Sequence, residues 1–391
     1  MTPALRYARR AANVAFAAGE HDPPEIVMMG SGDAYPEAFP DMGEFAMRAA
    51  RDFRTETLQY APRLGLAELR EWIAAYVGRE GVRVDPDAVI VVNGAKHGLD
   101  LACKLFVEPG DTIVVTRPTY QSALGIFRGY EVTYLEIGQD GDGMDVDELA
   151  TRLAERARAG AAMPKLLYDV PEFHNPTGVT LSARRRERLV ELAERYDFLI
   201  VEDDPYRRIR FDGEPLAPIA SLDTNGRVLG LGTFAKLVAP GLRVGWVTAT
   251  RDIAGRMGAL KSDGGSCPLT QRLLLEYGRA GRLELHVRDM AKIYAGHRDV
   301  LAEALRRQIP DATFRVPSGG YYLWVTLPGH VDTDRLLPVA LAHGVRFLPA
   351  SQFFATPGPT NRLRLAYSYA SPAGLTEGVR RLARAIGELR G

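Results

Sequence analysis

The chain has 391 residues, which is enough for two domains with large buried cores. Its 49 basic and 49 acidic residues cancel, so neither nucleic acid nor an anionic membrane is expected as the main partner. Its two cysteines lie far apart in sequence and lack metal-ligand spacing, which argues against a disulfide framework or a zinc site.

The N-terminal segment, residues 1–45, begins with arginines and an alanine-rich run that loosely imitate a signal peptide. Because Asn13 interrupts this short run, an amphipathic helix is the better interpretation. No run approaches the roughly 20 apolar residues that span a bilayer, so we expect a cytoplasmic protein. A loop rich in glycine and proline follows and carries Asp33 and Tyr35. Such a loop either crosses a ligand site or simply connects two domains.

The middle of the chain alternates apolar strands with helices, a pattern typical of a parallel sheet covered on both faces. The predicted strands lie at 88–92, 112–115, 166–170, 198–201 and 228–231. A long helix at 283–307 leaves this pattern, and strands at 321–325, 345–348 and 362–367 and a last helix to residue 389 follow it. We therefore expect a large domain at 46–282 and a smaller α+β domain at 283–391, which residues 1–45 join.

Polar and aromatic residues follow several predicted strands at the point where each strand ends. The turn at residues 93–95 leads from a strand into a helix N-terminus, a generic cradle for anions. Tyr120 follows the next strand, where its ring either stacks on a flat ligand or packs in the core. Asn175 lies in an Asn-Pro-Thr-Gly turn, which by itself indicates only a loop.

An acidic cluster, residues 202–204, follows the strand at 198–201. Crowded carboxylates raise one another's pKa unless a cation lies between them, so the cluster suggests a metal ion or a cationic ring nitrogen. No histidine or further carboxylate lies nearby in sequence to complete a metal site. The ring nitrogen is therefore the favoured partner.

Lys236 lies alone in apolar surroundings just after the strand at 228–231. A lysine placed there loses hydration and its neutral amine becomes a usable nucleophile, unless the side chain simply extends to solvent. A Pro-Gly turn brings Arg243 back toward the same side. An amine for a carbonyl and a guanidinium for a phosphate together suggest pyridoxal 5′-phosphate, PLP.

These motifs, in this order, resemble the class I/II aminotransferases of PLP fold type I. The similarity is greatest to the branch of aminoadipate and kynurenine aminotransferases and the aminotransferase-like domain of MocR regulators. It covers nearly the whole chain, from Leu58-Gln59-Tyr60 to the segment at 362–368. The resemblance implies an α/β, aspartate-aminotransferase-like fold, with a mainly parallel seven-stranded sheet in the large domain and a smaller α+β domain.

The resemblance also implies roles for individual residues. Lys236 would bind the cofactor covalently and move the substrate proton, and Asp203 would pair with the pyridinium nitrogen. Asn175 and Tyr206 would hydrogen-bond the ring oxygen, and Tyr120 would stack on the ring. Lys236, Asp203 and Tyr120 are the expected catalytic residues, and all five would bind the cofactor.

Further residues would hold the phosphate and the substrate. The phosphate ligands implied by the resemblance are Gly94, Ala95, Lys96, Thr233 and Arg243. Tyr60 would reach the phosphate of a neighbouring subunit, which makes a homodimer part of the active site. Arg364 would bind the substrate α-carboxylate bidentately beside Asn175, with Gly32 leaving room for it.

The sequence departs from the family pattern at three places. Ala235 replaces a serine that many relatives have before the lysine, and Lys96-His97 replaces two uncharged polar residues. Asp33 stands where close relatives carry an apolar residue beside the substrate side chain. Asp33, together with Tyr35, suggests a substrate with a cationic guanidino or amino group; alternatively, Asp33 caps a helix or pairs with an arginine.

The prediction is thus a PLP-dependent aminotransferase that acts by a ping-pong mechanism on an amino acid and a 2-oxo acid. An alternative is a related PLP enzyme that decarboxylates, eliminates, cyclises or oxidises an amino acid, because the same fold supports these reactions. A third possibility is an effector-binding module of MocR type. The absence of a winged helix or basic patch before residue 45 argues against it.

Overall fold

A computed structural model of the chain describes residues 6–12 and 25–390. The strands are β1 (Val27–Met28), β2 (Val89–Val92), β3 (Thr112–Arg117), β4 (Thr133–Asp140), β5 (Gly143–Met144), β6 (Leu166–Asp169), β7 (Leu199–Asp203), β8 (Val228–Thr233), β9 (Gly245–Thr248), β10 (Thr313–Phe314), β11 (Tyr322–Thr326), β12 (Val345–Arg346), β13 (Leu348–Pro349) and β14 (Arg362–Ala366). The α-helices are α1 (Arg9–Ala12), α2 (Gly43–Asp52), α3 (Arg54–Thr57), α4 (Ala67–Gly78), α5 (Ala95–Phe106), α6 (Gln121–Gly129), α7 (Val146–Arg158), α8 (Ala183–Tyr196), α9 (Ile219–Leu222), α10 (Arg251–Leu260), α11 (Pro268–Arg279), α12 (Arg282–Gln308), α13 (Thr333–Ala342) and α14 (Pro372–Arg390).

The large sheet has the strand order β2-β9-β8-β7-β6-β3-β4-β5. Its central pairs are parallel, whereas β9 runs antiparallel to both of its neighbours and β5 runs antiparallel to β4. The predicted fold is confirmed, but the sheet has eight strands and not seven. The eighth is the two-residue β5, which is too short to produce a periodic apolar pattern.

Alternating side chains of the central strands pack into two separate cores, one on each face of the sheet. Leu166 and Val201 belong to the larger core, whereas Leu167 and Ile200 belong to a smaller core that includes residues of α7 and α8. Because both faces are covered, the strands are apolar throughout, and this is why they could be recognised in the sequence.

A second sheet, of order β10-β11-β14-β13, is built from the C-terminal part of the chain and is antiparallel. Strand β1 pairs in parallel with β12, which places Met28 opposite Arg346. The long helix α12 packs against α14. Strand β1 also contacts α14, so the segment around Val27–Met28 joins the C-terminal part of the chain.

The predicted elements differ from the observed ones mainly at their ends. The strand expected at 345–348 is divided at Phe347 into β12 and β13. Most of the expected N-terminal helix, including Asn13, lies outside the described residues. Within residues 6–12, which are described, Arg9–Ala12 is helical. In the described ranges, no helix combines the length and the apolar character needed to cross a bilayer.

Candidate active site

A cavity of about 870 Å³ lies at the carboxyl ends of β3, β6, β7 and β8. This is the position where open α/β sheets bind ligands. Strands of the C-terminal part close it from the other side. The predicted site residues that line it are Gly32, Asp33, Gly94, Ala95, Lys96, Tyr120, Asn175, Asp203, Tyr206, Thr233, Lys236, Arg243 and Arg364.

Lys236 follows β8, and its side chain enters the cavity because its neighbours are held elsewhere. Phe234, Leu237 and Val238 are buried in the larger core, so the turn is fixed on both sides of the lysine. The Lys236 amine donates a hydrogen bond to the carbonyl oxygen of Gly32 at 2.5 Å. The amine is thereby held at the cavity wall, where it can reach a bound carbonyl group.

Asp203 ends β7 and has one oxygen in use and one without a partner. Its Oδ2 accepts a hydrogen bond of 2.7 Å from the Tyr168 hydroxyl, whereas its Oδ1 is buried and has no partner in the described part of the chain. Burial raises the pKa of the Asp203 carboxyl to about 7, against the opposing effect of the Tyr168 hydrogen bond. A buried acceptor that lines the cavity fits the N–H of a pyridinium ring.

The rest of the acidic cluster is neutralised by a cation that the sequence did not reveal. Arg207 donates to Glu202 at 3.1 Å and to Asp204 at 2.6 Å, and its side chain is buried. Glu202 also accepts from the backbone N–H groups at 219 and 220. Of the three adjacent acids, only Asp203 lines the cavity.

The N-terminus of α5 and the turn around Arg243 form one end of the cavity. Gly94 has φ +85° and precedes the helix, so the first N–H groups of α5 lack intrahelical partners. The Arg243 guanidinium donates to the carbonyl oxygen of Asn93 at 2.8 Å. Thr233 is buried at the end of β8, and Lys96 is exposed at the rim. Backbone donors, a hydroxyl and a guanidinium together suit a phosphate group.

Arg364 of β14 is a buried cation on the opposite wall. Its guanidinium donates to Asn175 Oδ1 at 2.8 Å and to the Gly30 carbonyl oxygen at 2.6 Å, and it lies 4.0 Å from the centroid of the Tyr322 ring. No carboxylate lies within ion-pair distance of it among residues 6–12 and 25–390. A buried arginine whose hydrogen-bond partners are neutral oxygens is suited to bind a substrate carboxylate.

Asp33 lines the cavity and is exposed. Its carboxylate accepts a hydrogen bond of 2.6 Å from the Ser31 hydroxyl. Within the described ranges it neither caps a helix nor forms an ion pair, so neither of the two structural alternatives for it is observed. Tyr35, expected beside it, does not line the cavity, because its hydroxyl donates to Glu37 and its ring packs on His297.

Tyr60 is the predicted site residue that lies apart from the cavity of its own chain. Its side chain is 85% exposed, and the adjacent Leu58 is 71% exposed. Both are in the segment that connects α3 to α4.

The cavity also includes residues that the sequence did not single out, among them Ser122, Tyr322, Arg346 and Gln352. Tyr168 does not line the cavity but contacts the site through the hydrogen bond that its hydroxyl donates to Asp203. Tyr168 and Tyr322 lie in strands and have the apolar neighbours of core residues, so no local signal marks them. Arg346 was detectable as a charge inside a predicted strand.

The family model for aminotransferase class I and II matches residues 24–382. The chain belongs to the class I and II aminotransferases. Aromatic-amino-acid aminotransferase 1 of Thermococcus litoralis is 36% identical over 370 residues, which cover 93% of this chain and 88% of the relative. The 2-aminoadipate transaminase of Thermus thermophilus is 33% identical over 374 residues, covering 93% of this chain and 90% of the relative.

A crystal structure of kynurenine aminotransferase from Pyrococcus horikoshii, in complex with PMP, superposes on this aminotransferase with a TM-score of 0.93. The two sequences are 34% identical, and the match covers 98% of each chain. The protein is therefore a PLP-dependent aminotransferase of the aspartate-aminotransferase-like fold. When bound, PLP carries the amino group between substrates and withdraws electrons from the substrate Cα.

Proposed function

We propose that this aminotransferase moves the amino group of an L-amino acid to a 2-oxo acid by a ping-pong mechanism, using the cavity residues described above. The proposal rests on three features of one cavity. These are the amine of Lys236, the unpartnered oxygen of Asp203 and the buried guanidinium of Arg364. A carbonyl, a cationic ring nitrogen and a carboxylate are their chemical complements.

Each group of residues has one task in this proposal. Lys236 carries the cofactor and, once substrate displaces it, moves the proton at the substrate Cα. Asp203 holds the ring nitrogen, while Asn175 and Tyr206 donate to the ring oxygen and Tyr120 covers the ring face. The phosphate is held by Gly94, Ala95, Lys96, Thr233 and Arg243. Arg364 holds the substrate α-carboxylate, and Gly32 leaves the space for it.

We further propose a homodimer in which Tyr60 reaches the phosphate site of the partner subunit. Its support is the high exposure of Tyr60 and Leu58, which are large side chains placed side by side outside their own cavity. A cytoplasmic location and the domain limits, at residues 46–282 and 283–391 with 1–45 joining the smaller domain, stay predictions from the sequence.

The substrate side chain is proposed to meet Asp33, which favours a guanidino or amino group. The support is the position of Asp33 at the cavity wall together with its lack of an ion-pair partner in the described residues. The competing substrate class has an acidic side chain, because Arg346 lines the same cavity and one relative is named a 2-aminoadipate transaminase. The two classes differ in charge, so a charge-removing variant distinguishes them.

Replacing Asp33 with leucine should raise KM for lysine and arginine about 3- to 10-fold, because an ion pair at a partly exposed site is lost. KM for phenylalanine and 2-aminoadipate should change little. Steady-state kinetics with single donors measure both effects.

Asp33→Asn is the matched control, since it removes the charge and keeps an acceptor for Ser31. It should reproduce the selective loss. Equal changes for all donors, or a gain for 2-aminoadipate alone, would show that Asp33 does not select cationic substrates.

A further inference from the structure

Two tyrosine hydroxyls meet at the wall of the cavity, which both residues line. The oxygen atoms of Tyr206 and Tyr322 are 3.2 Å apart, and the two rings are nearly perpendicular, at 87°. Tyr206 lies in the turn after β7, whereas Tyr322 is the first residue of β11, in the second sheet. Both side chains are buried, with 3% and 4% exposure. Their contact therefore joins the two sheets at the site itself.

The Tyr322 ring is fixed in its position from two sides. The Arg364 guanidinium lies 4.0 Å from the ring centroid, in a cation–π contact. On the other side, a Cβ atom on Gly32 would come within 2.0 Å of the Tyr322 oxygen. The hydroxyl thus occupies a space that only a glycine leaves open, and it has little freedom to move away from Tyr206.

The two hydroxyls can donate in series, from Tyr322 to Tyr206 and from Tyr206 to a ring oxygen of bound PLP. A phenol has one proton to donate, and in this structure the Tyr206 hydroxyl donates to the Tyr322 oxygen. If Tyr206 donates to the ring oxygen of PLP, it gives up that bond. The Tyr322 hydroxyl can then rotate its own proton toward the Tyr206 oxygen. A phenol that accepts such a bond becomes a stronger donor, because hydrogen bonds in a chain polarise one another.

We propose that Tyr322 is a positioning residue that acts on the bound cofactor through Tyr206. With PLP present, the Tyr322 hydroxyl donates to Tyr206 and so strengthens the hydrogen bond from Tyr206 to the ring oxygen. This inference rests on the proposed function, in which Tyr206 is a donor to that oxygen.

The relay predicts the direction of a measurable shift. Negative charge on the ring oxygen holds the proton on the nitrogen that joins PLP to Lys236, so every donor to the oxygen lowers the pKa of this nitrogen. In Tyr322→Phe, Tyr206 loses its supporting donor and donates more weakly. The pKa of the nitrogen should therefore rise, by about 0.5 to 1 unit.

The experiment is a titration of the PLP-loaded enzyme with pH, followed through the visible absorption band of the cofactor. No substrate is added, so turnover does not enter the readout. Tyr367→Phe is the matched control, because Tyr367 is also fully buried and its hydroxyl donates to the Gly319 carbonyl oxygen at 3.0 Å, away from Tyr206. Tyr322→Phe should raise the pKa, and Tyr367→Phe should leave it at the wild-type value.

Tyr206→Phe and the double variant Tyr206→Phe/Tyr322→Phe test whether Tyr322 acts through Tyr206. Without Tyr206, the second substitution should add no further shift. An unchanged or lowered pKa in Tyr322→Phe overturns the relay, and so does a full additional shift in the double variant. Tyr206→Phe separates failure of the relay from failure of the proposed function. If Tyr206→Phe causes no shift in the pKa, Tyr206 is not a donor to the ring oxygen and both fail. If Tyr206→Phe raises the pKa but Tyr322→Phe does not, only the relay fails.

Discussion

At the scale of single residues, Asp203 shows how a functional group is maintained at a cost to stability. Burial raises the pKa of its carboxyl from the ordinary 3.8 to about 7 when no ring nitrogen is present. The folded protein therefore binds more protons than the unfolded chain between these two values. The contribution of Asp203 to stability is fully present below pH 3.8 and is lost as pH rises through about 7. A pyridinium N–H reverses this preference by pairing with the charged form.

Asp203→Asn should consequently stabilise the PLP-free protein above pH 7, by about 1 kcal/mol, because it removes a buried charge that has no counter-charge among the described residues. Below pH 4 the two proteins should unfold alike. The loaded variant should lose roughly 10²- to 10³-fold in kcat, since the ring nitrogen loses its counter-charge. Denaturant unfolding at the two pH values and steady-state kinetics measure these effects.

Asp169→Asn is the matched control for that experiment. Burial also raises the pKa of Asp169 to about 7, but the residue does not line the cavity. It should share the pH-dependent gain in stability and lack the large loss of activity. A comparable loss of activity in both variants would contradict the role given to Asp203.

Residues at strand ends could be predicted from the sequence, and residues within strands could not. Asp203 and Lys236 were identifiable because polar groups directly follow apolar strands, and such ends meet at one edge of a sheet. Tyr168 lies inside β6 and Tyr322 is the first residue of β11, and both contact site residues. At these strand positions an aromatic residue is typical of the core. Arg207 was unidentified as a counter-charge because its partners come from several segments.

At the scale of elements, Gly94 at the beginning of α5 meets two structural requirements, a positive φ and close contact with Arg243. Gly94 adopts φ +85°, and a Cβ atom there would lie 3.0 Å from the Arg243 guanidinium. A larger residue would therefore strain the backbone and also displace a proposed phosphate ligand.

Gly94→Ala should weaken PLP binding by about 10-fold or more, because both the backbone donors and Arg243 shift. The measurement is a titration of the PLP-free protein with PLP, followed by absorbance. Gly110→Ala is the matched control, since Gly110 has φ +91° and no atom within 4 Å of its added Cβ. It should lose stability through strain alone and bind PLP as the wild type does. Equal PLP affinity in both variants would sink the phosphate assignment.

Element types were predictable because each central strand is buried on both faces and each long helix has one apolar side. The first and last residues of the elements were harder to predict than their types. β5 has only two residues, and the strand at 345–348 is divided at Phe347, a buried apolar residue that carries no turn signal. Hydrogen-bond partners, which a local pattern does not contain, decide both features.

At the scale of the whole molecule, the site depends on contacts between segments far apart in sequence. Lys236 donates to Gly32, and Tyr321 donates to the Lys236 carbonyl oxygen at 3.0 Å. Arg364 contacts both Gly30 and Asn175. The sequence indicated that a second α+β region exists, but periodicity does not say which of its side chains return to the sheet. Only the resemblance to a family assigned Arg364, and neither route identified Tyr322.

The central claim is that Lys236, Asp203 and Arg364 act together on PLP and an amino acid. The most direct measurement is the visible spectrum of the purified enzyme as single amino acids are added, followed by a 2-oxo acid. We expect a PLP band that converts to the pyridoxamine form with one class of donor and returns with the oxo acid. Two results would contradict the joint role of these residues in transamination. One is a protein that takes up no PLP. The other is a reaction that releases CO₂ or consumes oxygen while the PLP band does not return.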